Sequence, residues 1–430
     1  MATLIVFIVV LGFLIFIHEL GHFAAAKMVG VGVQEFSVGF PPKIVSKTIR
    51  GTEYMLSLIP LGGYVRLKGQ NIDDEDPNER DNYAAKSPLK RFFILIAGST
   101  MNLSVSLVFV PLALYIGHEV PAFFFDPPVL RSVEQNGSAQ KAGFKAGDRI
   151  VAVNRQSVAN WQETQRMLAS SQSETIRLTL MREERRVLLT FDRSLLASER
   201  EFGWSFFIKP IVGSAAANSP AERAGIGSGD VIVRIGDVPI GDWSEITSAV
   251  SSGNGREIKI QFLRDGSLRT VSVIPYRDRQ DSRWIIGINS ATVTVSETVW
   301  NSISGGLKWV TYVTRSTFEF LYRLIVGQAS SKSIGGPIMI AQMVGEAAER
   351  GVSDLLQMVG FISLQLCIFN LLPIPALDGG HIFLLLLEKM KGSGLSKGFR
   401  ITVQKAGFVL LMTLITLVLV QDGYRVFEGF

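Results

Sequence analysis

The sequence has few cysteine and histidine residues, which form the disulfides of small secreted proteins and bind metal clusters. Its 430 residues include one cysteine, Cys367, and four histidines. A single cysteine excludes an internal disulfide, and its apolar surroundings indicate a small buried hydrophobe. No run of basic residues is interleaved with aromatic residues. We therefore expect no nucleic acid among the partners of this chain.

Charged residues are missing from several long stretches. Hydrophobic residues make up 47% of the chain, and the mean hydropathy is +0.29. These values are too apolar for one soluble domain, although the middle third is ordinary and polar, so we expect membrane helices with soluble inserts. Each apolar stretch has close to the roughly 20 residues that cross a bilayer. The predicted spans are 1–28, 92–116, 355–376 and 401–420.

Basic residues are also absent from the stretch that directly follows the second predicted span. The stretch Gly117–Pro128 has none, whereas ten lie from Lys27 to Arg91 and five from Lys389 to Lys405. Because basic residues are enriched in cytoplasmic loops, the two basic connections should be cytoplasmic. Both termini and the large middle region should then lie on the outer side.

The first predicted span ends in ionisable residues, which are costly in a membrane and usually functional. His18-Glu19-Leu20-Gly21-His22 has the pattern HExxH. Residues four apart share one face of a helix, so His18 and His22 can both bind one Zn²⁺. Glu19 can act as a base towards water at that metal. A buried histidine pair is the alternative. A signal peptide is disfavoured because no basic residue precedes Lys27.

A catalytic zinc site usually has a third protein ligand, and Asp378 is the best candidate. It follows the third predicted span in the segment NLLPIPALDGGH, residues 370–381. Helical rise places both His18 and Asp378 near the cytoplasmic side. Pro373 and Pro375 would free backbone groups that could face substrate or water. His381 could support a ligand from the second shell or simply be a polar residue at a helix end.

The middle region contains an internal repeat with a constant offset of 82 residues. The repeated features are Ala139 and Ala221, Gly147-Asp148 and Gly229-Asp230, Trp161 and Trp243, and Arg182 and Arg264. Each copy continues with an alternating strand, a short helix and two more β-rich runs. This pattern resembles a tandem pair of PDZ domains, predicted at 127–195 and 203–277. Such domains usually accept a peptide by strand addition, although these copies could be spacers with no ligand.

Two further segments have recognisable periodicity. Residues 33–69 alternate apolar and polar side chains and predict a β-hairpin region associated with the membrane, where an edge strand could hold an extended substrate. An ordinary cytoplasmic hairpin is the alternative. Residues 296–326 have apolar side chains at helical spacing and predict an amphipathic helix on the outer leaflet. A core helix of a soluble domain is the alternative there.

Together the HExxH motif, the segment Asn370–Gly380 and the two repeats resemble the site-2 protease family of intramembrane zinc metalloproteases. The family's Ala-Gly-Pro…Asn pattern is present as Ala97-Gly98-Ser99 with Asn102, without the proline. The resemblance implies that His18, His22 and Asp378 bind Zn²⁺ and that Glu19 is catalytic. It also implies that Asn370, Pro373 and Pro375 help to hold an unwound substrate.

The expected fold is thus a polytopic α-helical membrane protein with four transmembrane helices, a membrane-associated β-hairpin region and two α+β PDZ domains. The resemblance implies a multi-pass protein of a bacterial inner membrane, with termini and PDZ domains on the periplasmic side. Its activity would be cleavage within the transmembrane segment of single-span proteins, including anti-sigma factors and signal-peptide remnants. The alternative function is a non-enzymatic membrane scaffold that captures peptides or proteins through its PDZ domains.

Overall fold

A computed structural model describes residues 2–70, 79–196, 202–216, 218–278, 283–328 and 335–427. The chain forms two compact units. We call Met1–His118 with Ser296–Phe430 the membrane-helix unit, and Glu119–Val295 the inserted unit.

Helices dominate the membrane-helix unit and strands dominate the inserted unit. The helices are α1 (Ala2–Met28), α2 (Pro88–Ile116), α3 (Ser138–Lys141), α4 (Trp161–Ser170), α5 (Pro220–Arg223), α6 (Trp243–Ser252), α7 (Val299–Ile325), α8 (Pro337–Arg350), α9 (Val352–Asn370), α10 (Asp378–Lys391) and α11 (Lys397–Phe427). The strands are β1 (Val33–Ile49), β2 (Thr52–Leu67), β3 (His118–Pro121), β4 (Leu130–Val133), β5 (Arg149–Val153), β6 (Gln156–Ser157), β7 (Thr175–Arg182), β8 (Arg185–Asp192), β9 (Trp204–Phe206), β10 (Val212–Ala215), β11 (Val231–Ile235), β12 (Val238–Pro239), β13 (Ile258–Arg264), β14 (Ser267–Val273), β15 (Tyr276–Arg277), β16 (Trp284–Ile285), β17 (Ile288–Ser290) and β18 (Thr292–Val295).

Among the described residues, four helices are long and apolar enough to cross a membrane: α1, α2, α9 and α11. The third predicted span, 355–376, differs from the structure, since α9 ends at Asn370. Pro373 and Pro375 lack the backbone N–H that a continuing helix needs. A non-helical segment, 371–377, therefore separates α9 from α10.

Three of the spans, α1, α2 and α9, form the apolar core of the membrane-helix unit together with α8. Leu14 of α1, Val105 of α2, Val344 of α8 and Val359 of α9 pack in one buried cluster. Helix α8 has no counterpart among the sequence-based predictions. The predicted amphipathic helix at 296–326 is α7, and its buried face follows α2 and α9, where Gly306 lies against Pro111. Its placement on a membrane surface stays a prediction.

Helix α11 is mostly exposed and is held to this unit at a few points. Arg400 forms an ion pair with Glu388 of α10, and Gly407 lies against Pro375. Near the other end, the buried carboxylate of Asp422 accepts hydrogen bonds from the N–H groups of Gly336 and Ile338 at the start of α8. These contacts place α11 beside the segment that leads to Asp378.

Strands β1 and β2 form the predicted hairpin immediately after α1. Arg50 and Gly51 connect them with φ of 49° and 79°, the geometry of a tight two-residue hairpin turn. The first half of β2 pairs with both halves of β1, with Ile49 opposite Thr52 and Phe36 opposite Tyr54. The end of β2 pairs with the other edge of the first half of β1, from Val38 opposite Gly63 to Val33 opposite Leu67. The end of β2 thereby lies beside α1.

The inserted unit consists of two similar halves. Each has a four-stranded sheet, in the orders β6-β5-β7-β8 and β12-β11-β13-β14, beside one helix, α4 or α6. Each also has a separate strand pair, β4-β9 or β10-β17. Strand β9 lies inside the predicted range 203–277 yet pairs with β4 of the first half. In each half, the last strand therefore pairs with the first strand. The constant offset between repeated residues does not predict this pairing.

Candidate metal centre

Three donor atoms from α1 and α10 converge in the membrane-helix unit. The Nε2 atoms of His18 and His22 are 3.2 Å apart. Asp378 Oδ2 lies 3.2 Å from His18 Nε2 and 3.3 Å from His22 Nε2. Ligand bonds of about 2.05 Å in a tetrahedral zinc site place the ligand atoms about 3.3 Å apart. The observed triangle therefore has the dimensions of three corners of such a site.

The triangle consists of two residues of the continuous helix α1 and the first residue of α10. His18 and His22 project from the same face of α1 because one helical turn separates them. Asp378 is the first residue of α10, where the helix dipole favours a carboxylate. A Cβ on Gly380 would lie 2.2 Å from the carbonyl oxygen of Ile374. Only a glycine lets α10 begin against the segment 371–377.

The donor set fits a zinc ion. Asp378 Oδ2 is buried and has no hydrogen-bond partner within the described ranges, while it faces two imidazole nitrogens. The side chains of His18 and His22 are each 12% exposed and that of Asp378 is 18% exposed. An orphaned carboxylate oxygen at this depth is costly unless a cation binds it. Two imidazoles and one carboxylate are also a common ligand set of catalytic zinc.

Residues of α2 shape the pocket around the two histidines. The Nδ1 atom of His22 lies 2.8 Å from the carbonyl oxygen of Ile94. A Cβ on Gly98 would collide with both imidazole rings, so α2 can approach α1 only with glycine at this position. No role at the site was predicted for Ile94 or Gly98. The signals in the sequence were a glycine inside an apolar span and the pattern Ala97-Gly98-Ser99 with Asn102.

Glu19 lies between the donor triangle and the hairpin. Its carboxylate is within hydrogen-bonding reach of the Val65 main-chain amide and close enough to interact electrostatically with both histidines and Asp378. Its Cγ lies 3.3 Å from the point that a Cβ atom on Gly63 would occupy. The end of β2 therefore borders the same space as the three donor residues and Glu19.

The remaining predicted site residues flank the triangle. Asn370 ends α9, and Pro373 and Pro375 lie in the non-helical segment before Asp378. Pro373 is exposed and Pro375 is half-buried. His381 does not belong to the donor cluster among the described residues. It lines an adjacent cavity of about 70 Å³ together with Tyr83, Arg91 and Glu388, and burial lowers its pKa.

Comparison with known proteins identifies the family. The sequence profile of Peptidase family M50 matches residues 6–414 of this chain. The chain belongs to peptidase family M50. Relatives of this M50 peptidase align over almost their whole length. The "Regulator of sigma-E protease RseP" of Escherichia coli K12 is 30% identical and covers 97% of this chain and 98% of its own. The "Regulator of sigma E protease" of Haemophilus influenzae is 29% identical with the same coverage.

A relative from Clostridium acetobutylicum, named as a zinc metalloprotease, is 28% identical and covers 98% of this chain. The M50 peptidase described here is accordingly a zinc metalloprotease of the site-2 type, with Zn²⁺ as its metal. The non-enzymatic scaffold that the sequence left open is therefore wrong as its main function. A solved PDZ domain from Listeria monocytogenes is similar to 19% of the chain at 20% identity, with a TM-score of 0.18, and that likeness carries no argument.

Proposed function

We propose that this protease cleaves the transmembrane segment of single-span membrane proteins, with His18, His22 and Asp378 as zinc ligands and Glu19 as the general base. The observation that supports it is the donor triangle itself. Its histidines come from α1, which is long and apolar enough to span a membrane, and its carboxylate begins the helix that follows α9, another such span.

The residues divide the reaction between them. When bound, Zn²⁺ supplies Lewis-acid polarisation of the scissile carbonyl and makes water more acidic. Glu19 is adjacent to the triangle but is not one of its three donors. Its carboxylate accepts the proton from the attacking water and passes it to the leaving amine. Glu19 lies on the side of α1 that faces the end of β2.

Glu19→Gln tests the assignment. We expect cleavage to fall by at least the roughly 10²–10⁴-fold typical of general acid–base catalysis, while the zinc content of the purified protein stays at the wild-type value. A tagged single-span substrate, co-expressed with each form, reports cleavage as a change in length. Turnover close to wild type in the Gln variant would show that another group moves the proton.

Two elements beside the triangle are suited to hold an unwound substrate. A helical amide is shielded by its own hydrogen bonds, so the substrate must become extended before it reacts. The end of β2, from Gly63 to Leu67, can pair with an extended segment through its outer edge. The segment that leads to Asp378, from Asn370 through Pro373 and Pro375, lacks two of the backbone N–H groups of a regular helix, so it can present free carbonyl groups to a substrate.

Proline substitution tests the pairing with β2. Tyr64→Pro and Val65→Pro remove donors from opposite edges of the strand, since successive residues of a strand alternate in direction. We expect Val65→Pro to impair cleavage more than Tyr64→Pro while zinc content is unchanged, because the Val65 amide faces Glu19 and the space where a substrate would pair. Equal losses of cleavage and of thermal stability in both variants would mean that the end of β2 has only a structural role.

The proposed orientation rests on the charge of the connections, and the proposed substrates rest on the relatives and the family resemblance. The charge asymmetry of the connections supports termini and an inserted unit on the outer side, which reporter fusions at the C-terminus can test. Two relatives are named as regulator of sigma-E protease, which supports a role in sigma-factor regulation. Anti-sigma factors and signal-peptide remnants are the substrates that the resemblance to site-2 proteases implies. The inserted unit, as a PDZ pair, would then exclude substrates whose outer domains have not yet been trimmed.

A further inference from the structure

The two histidines of the donor triangle are oriented by different partners. Both rings direct Nε2 towards Asp378, so each ring must carry its proton on Nδ1 when Nε2 binds a metal. For His22, the carbonyl oxygen of Ile94 is the acceptor at 2.8 Å. For His18, the neighbour of Nδ1 is the side-chain nitrogen of Asn102 at 3.2 Å. That nitrogen carries two N–H groups and cannot accept a proton.

Asn102 has the missing acceptor on the same amide group. Its Oδ1 atom is buried and has no hydrogen-bond partner in the part of the chain that the structure describes. The side chain as a whole is fully buried. The oxygen and nitrogen of an amide exchange places when the group rotates by half a turn. This rotation brings Oδ1 next to His18 Nδ1, so that the ring donates and the unpaired oxygen accepts.

Contacts on both sides fix the backbone of Asn102. The Ser363 hydroxyl of α9 donates a hydrogen bond of 2.7 Å to the Asn102 carbonyl oxygen. Gly98, one turn earlier on α2, lies directly against both imidazole rings. The amide therefore stands on a buried helix that is joined to α9 and packed on the metal-binding face of α1. Ser106, one turn later, is also buried but forms no hydrogen bond with either histidine.

We propose that Asn102 is a positioning residue, whose Oδ1 accepts the Nδ1 proton of His18 and thereby holds Nε2 in place for zinc. The inference rests on the proposed assignment of His18, His22 and Asp378 as the zinc ligands. Partners of this kind fix the tautomer and the direction of a ligating ring. The main chain performs this task for His22, and a side chain performs it for His18. Only the second partner can be changed by substitution.

Zinc affinity of the purified full-length protein provides the test. Asn102→Leu keeps the approximate volume and removes the acceptor, whereas Asn102→Asp keeps an acceptor. Ser106→Ala is the matched control, because it removes a buried polar group from the same helix. Competition with a chromophoric chelator measures the affinity for zinc, and the visible spectrum of the cobalt-substituted protein reports the ligand geometry.

We expect Asn102→Leu to weaken zinc binding by about 10–100-fold, the usual effect of losing such a partner, and to alter the cobalt spectrum. Asn102→Asp and Ser106→Ala should stay within a few-fold of wild type. In a His18→Ala background, Asn102→Leu should cause no further loss, because the ring that it orients is gone. If Asn102→Leu does not fold, Asn102→Asp and Asn102→Ala provide the same contrast.

The role of Asn102 and the assignment of the zinc ligands are refuted by different results. Unchanged affinity in Asn102→Leu, beside a clear loss in His18→Ala, would refute the role of Asn102 and leave the zinc ligands intact. A loss in Asn102→Asp as large as in Asn102→Leu would refute it as well. Zinc binding that is indifferent to His18→Ala would instead overturn the proposed metal site.

Discussion

Buried carboxylates in the two units have opposite surroundings. In the inserted unit, Asp148 and Asp230 are fully buried. Each forms two hydrogen bonds with an arginine, Arg182 or Arg264, and accepts another from a backbone N–H three residues earlier. The same arginine also donates to the carbonyl of the Ala-Gly turn. The two halves repeat this arrangement at matching positions, as expected of a structural element.

In the membrane-helix unit, the carboxylate of Asp378 has no such arginine within the described residues. Its Oδ2 faces two imidazoles and nothing else that can donate to it. Both environments are buried, so burial alone does not distinguish a structural acid from a functional one. The number of hydrogen bonds to the carboxylate does, because a buried carboxylate oxygen without a hydrogen-bond partner requires an explanation, such as a bound cation.

The strongest test of this comparison is to remove the unsatisfied carboxylate. Asp378→Ala should reduce bound zinc from about one ion per chain to a small fraction and abolish cleavage, because a third protein ligand is lost. His381→Ala is the matched control, since His381 lies one turn away on α10 but outside the donor triangle. Metal analysis and the cleavage assay on both purified variants decide the question.

Full zinc occupancy in Asp378→Ala would place the third ligand elsewhere. Equal zinc loss in both variants would mean that the first turn of α10, rather than one carboxylate, determines metal binding. Either result would remove the distinction between saturated and unsatisfied carboxylates.

The next test removes a saturated carboxylate. Asp230→Ala removes the acceptor of Arg264 and of the Gly227 N–H and should lower the free energy of unfolding by about 1–3 kcal/mol, the cost of leaving hydrogen-bond donors without a partner. Zinc content should not change. Glu257→Ala, which removes an exposed charge from the same half, is the control. Thermal unfolding and metal analysis of the full-length variants provide both readings.

Acid should have a related but smaller effect. Burial alone would raise the pKa of Asp230, but hydrogen bonds from Arg264 and Gly227 hold it below its usual value. The stabilisation is therefore present above the unfolded pKa of about 3.9 and is lost as the pH falls through the folded pKa. Wild type should lose stability in this range more steeply than Asp230→Ala. Parallel curves for the two proteins would contradict the assignment.

The sequence predicted those features that depend on spacing along one element. HExxH predicted that His18 and His22 lie on one face of α1, and the apolar runs predicted the four long helices. The strands of the hairpin followed from the alternation of apolar and polar residues over 33–69, whereas its turn at Arg50 and Gly51 was not predicted. Each of these needs only local periodicity, which tertiary packing did not override.

Features that depend on contacts between elements could not be obtained in this way. The helix break at Asn370 was missed because apolar residues continue to Ala376, although Pro373 and Pro375 marked the break. Helix α8 was missed because its residues are only moderately apolar, and its burial depends on α1 and α9. The proximity of Asn102 and Gly98 to His18 links positions far apart in the chain. Spacing within α2 contains no information about which helix it will contact.

The last test deletes the inserted unit, and we expect this change to have the smallest effect on the metal site. The structure provides the boundaries. Strands β3 and β18 pair with each other where the chain enters and leaves this unit, and Ser296 donates a hydrogen bond to the Ile116 carbonyl within the membrane-helix unit. A short glycine linker in place of Glu119–Val295 should therefore span the gap. A deletion of only 129–276 would leave β17 without its partner β10.

The deletion variant should bind zinc like the wild type, because all three donors and Glu19 belong to the membrane-helix unit. It should cleave a substrate whose outer domain is already trimmed, and it should begin to cleave the untrimmed form that the intact protein spares. The assay compares long and trimmed substrates with intact and deleted enzyme, and Glu19→Gln in the deleted form gives the background. Unchanged discrimination by a zinc-loaded deletion variant would indicate that the inserted unit recruits partners and does not filter substrates.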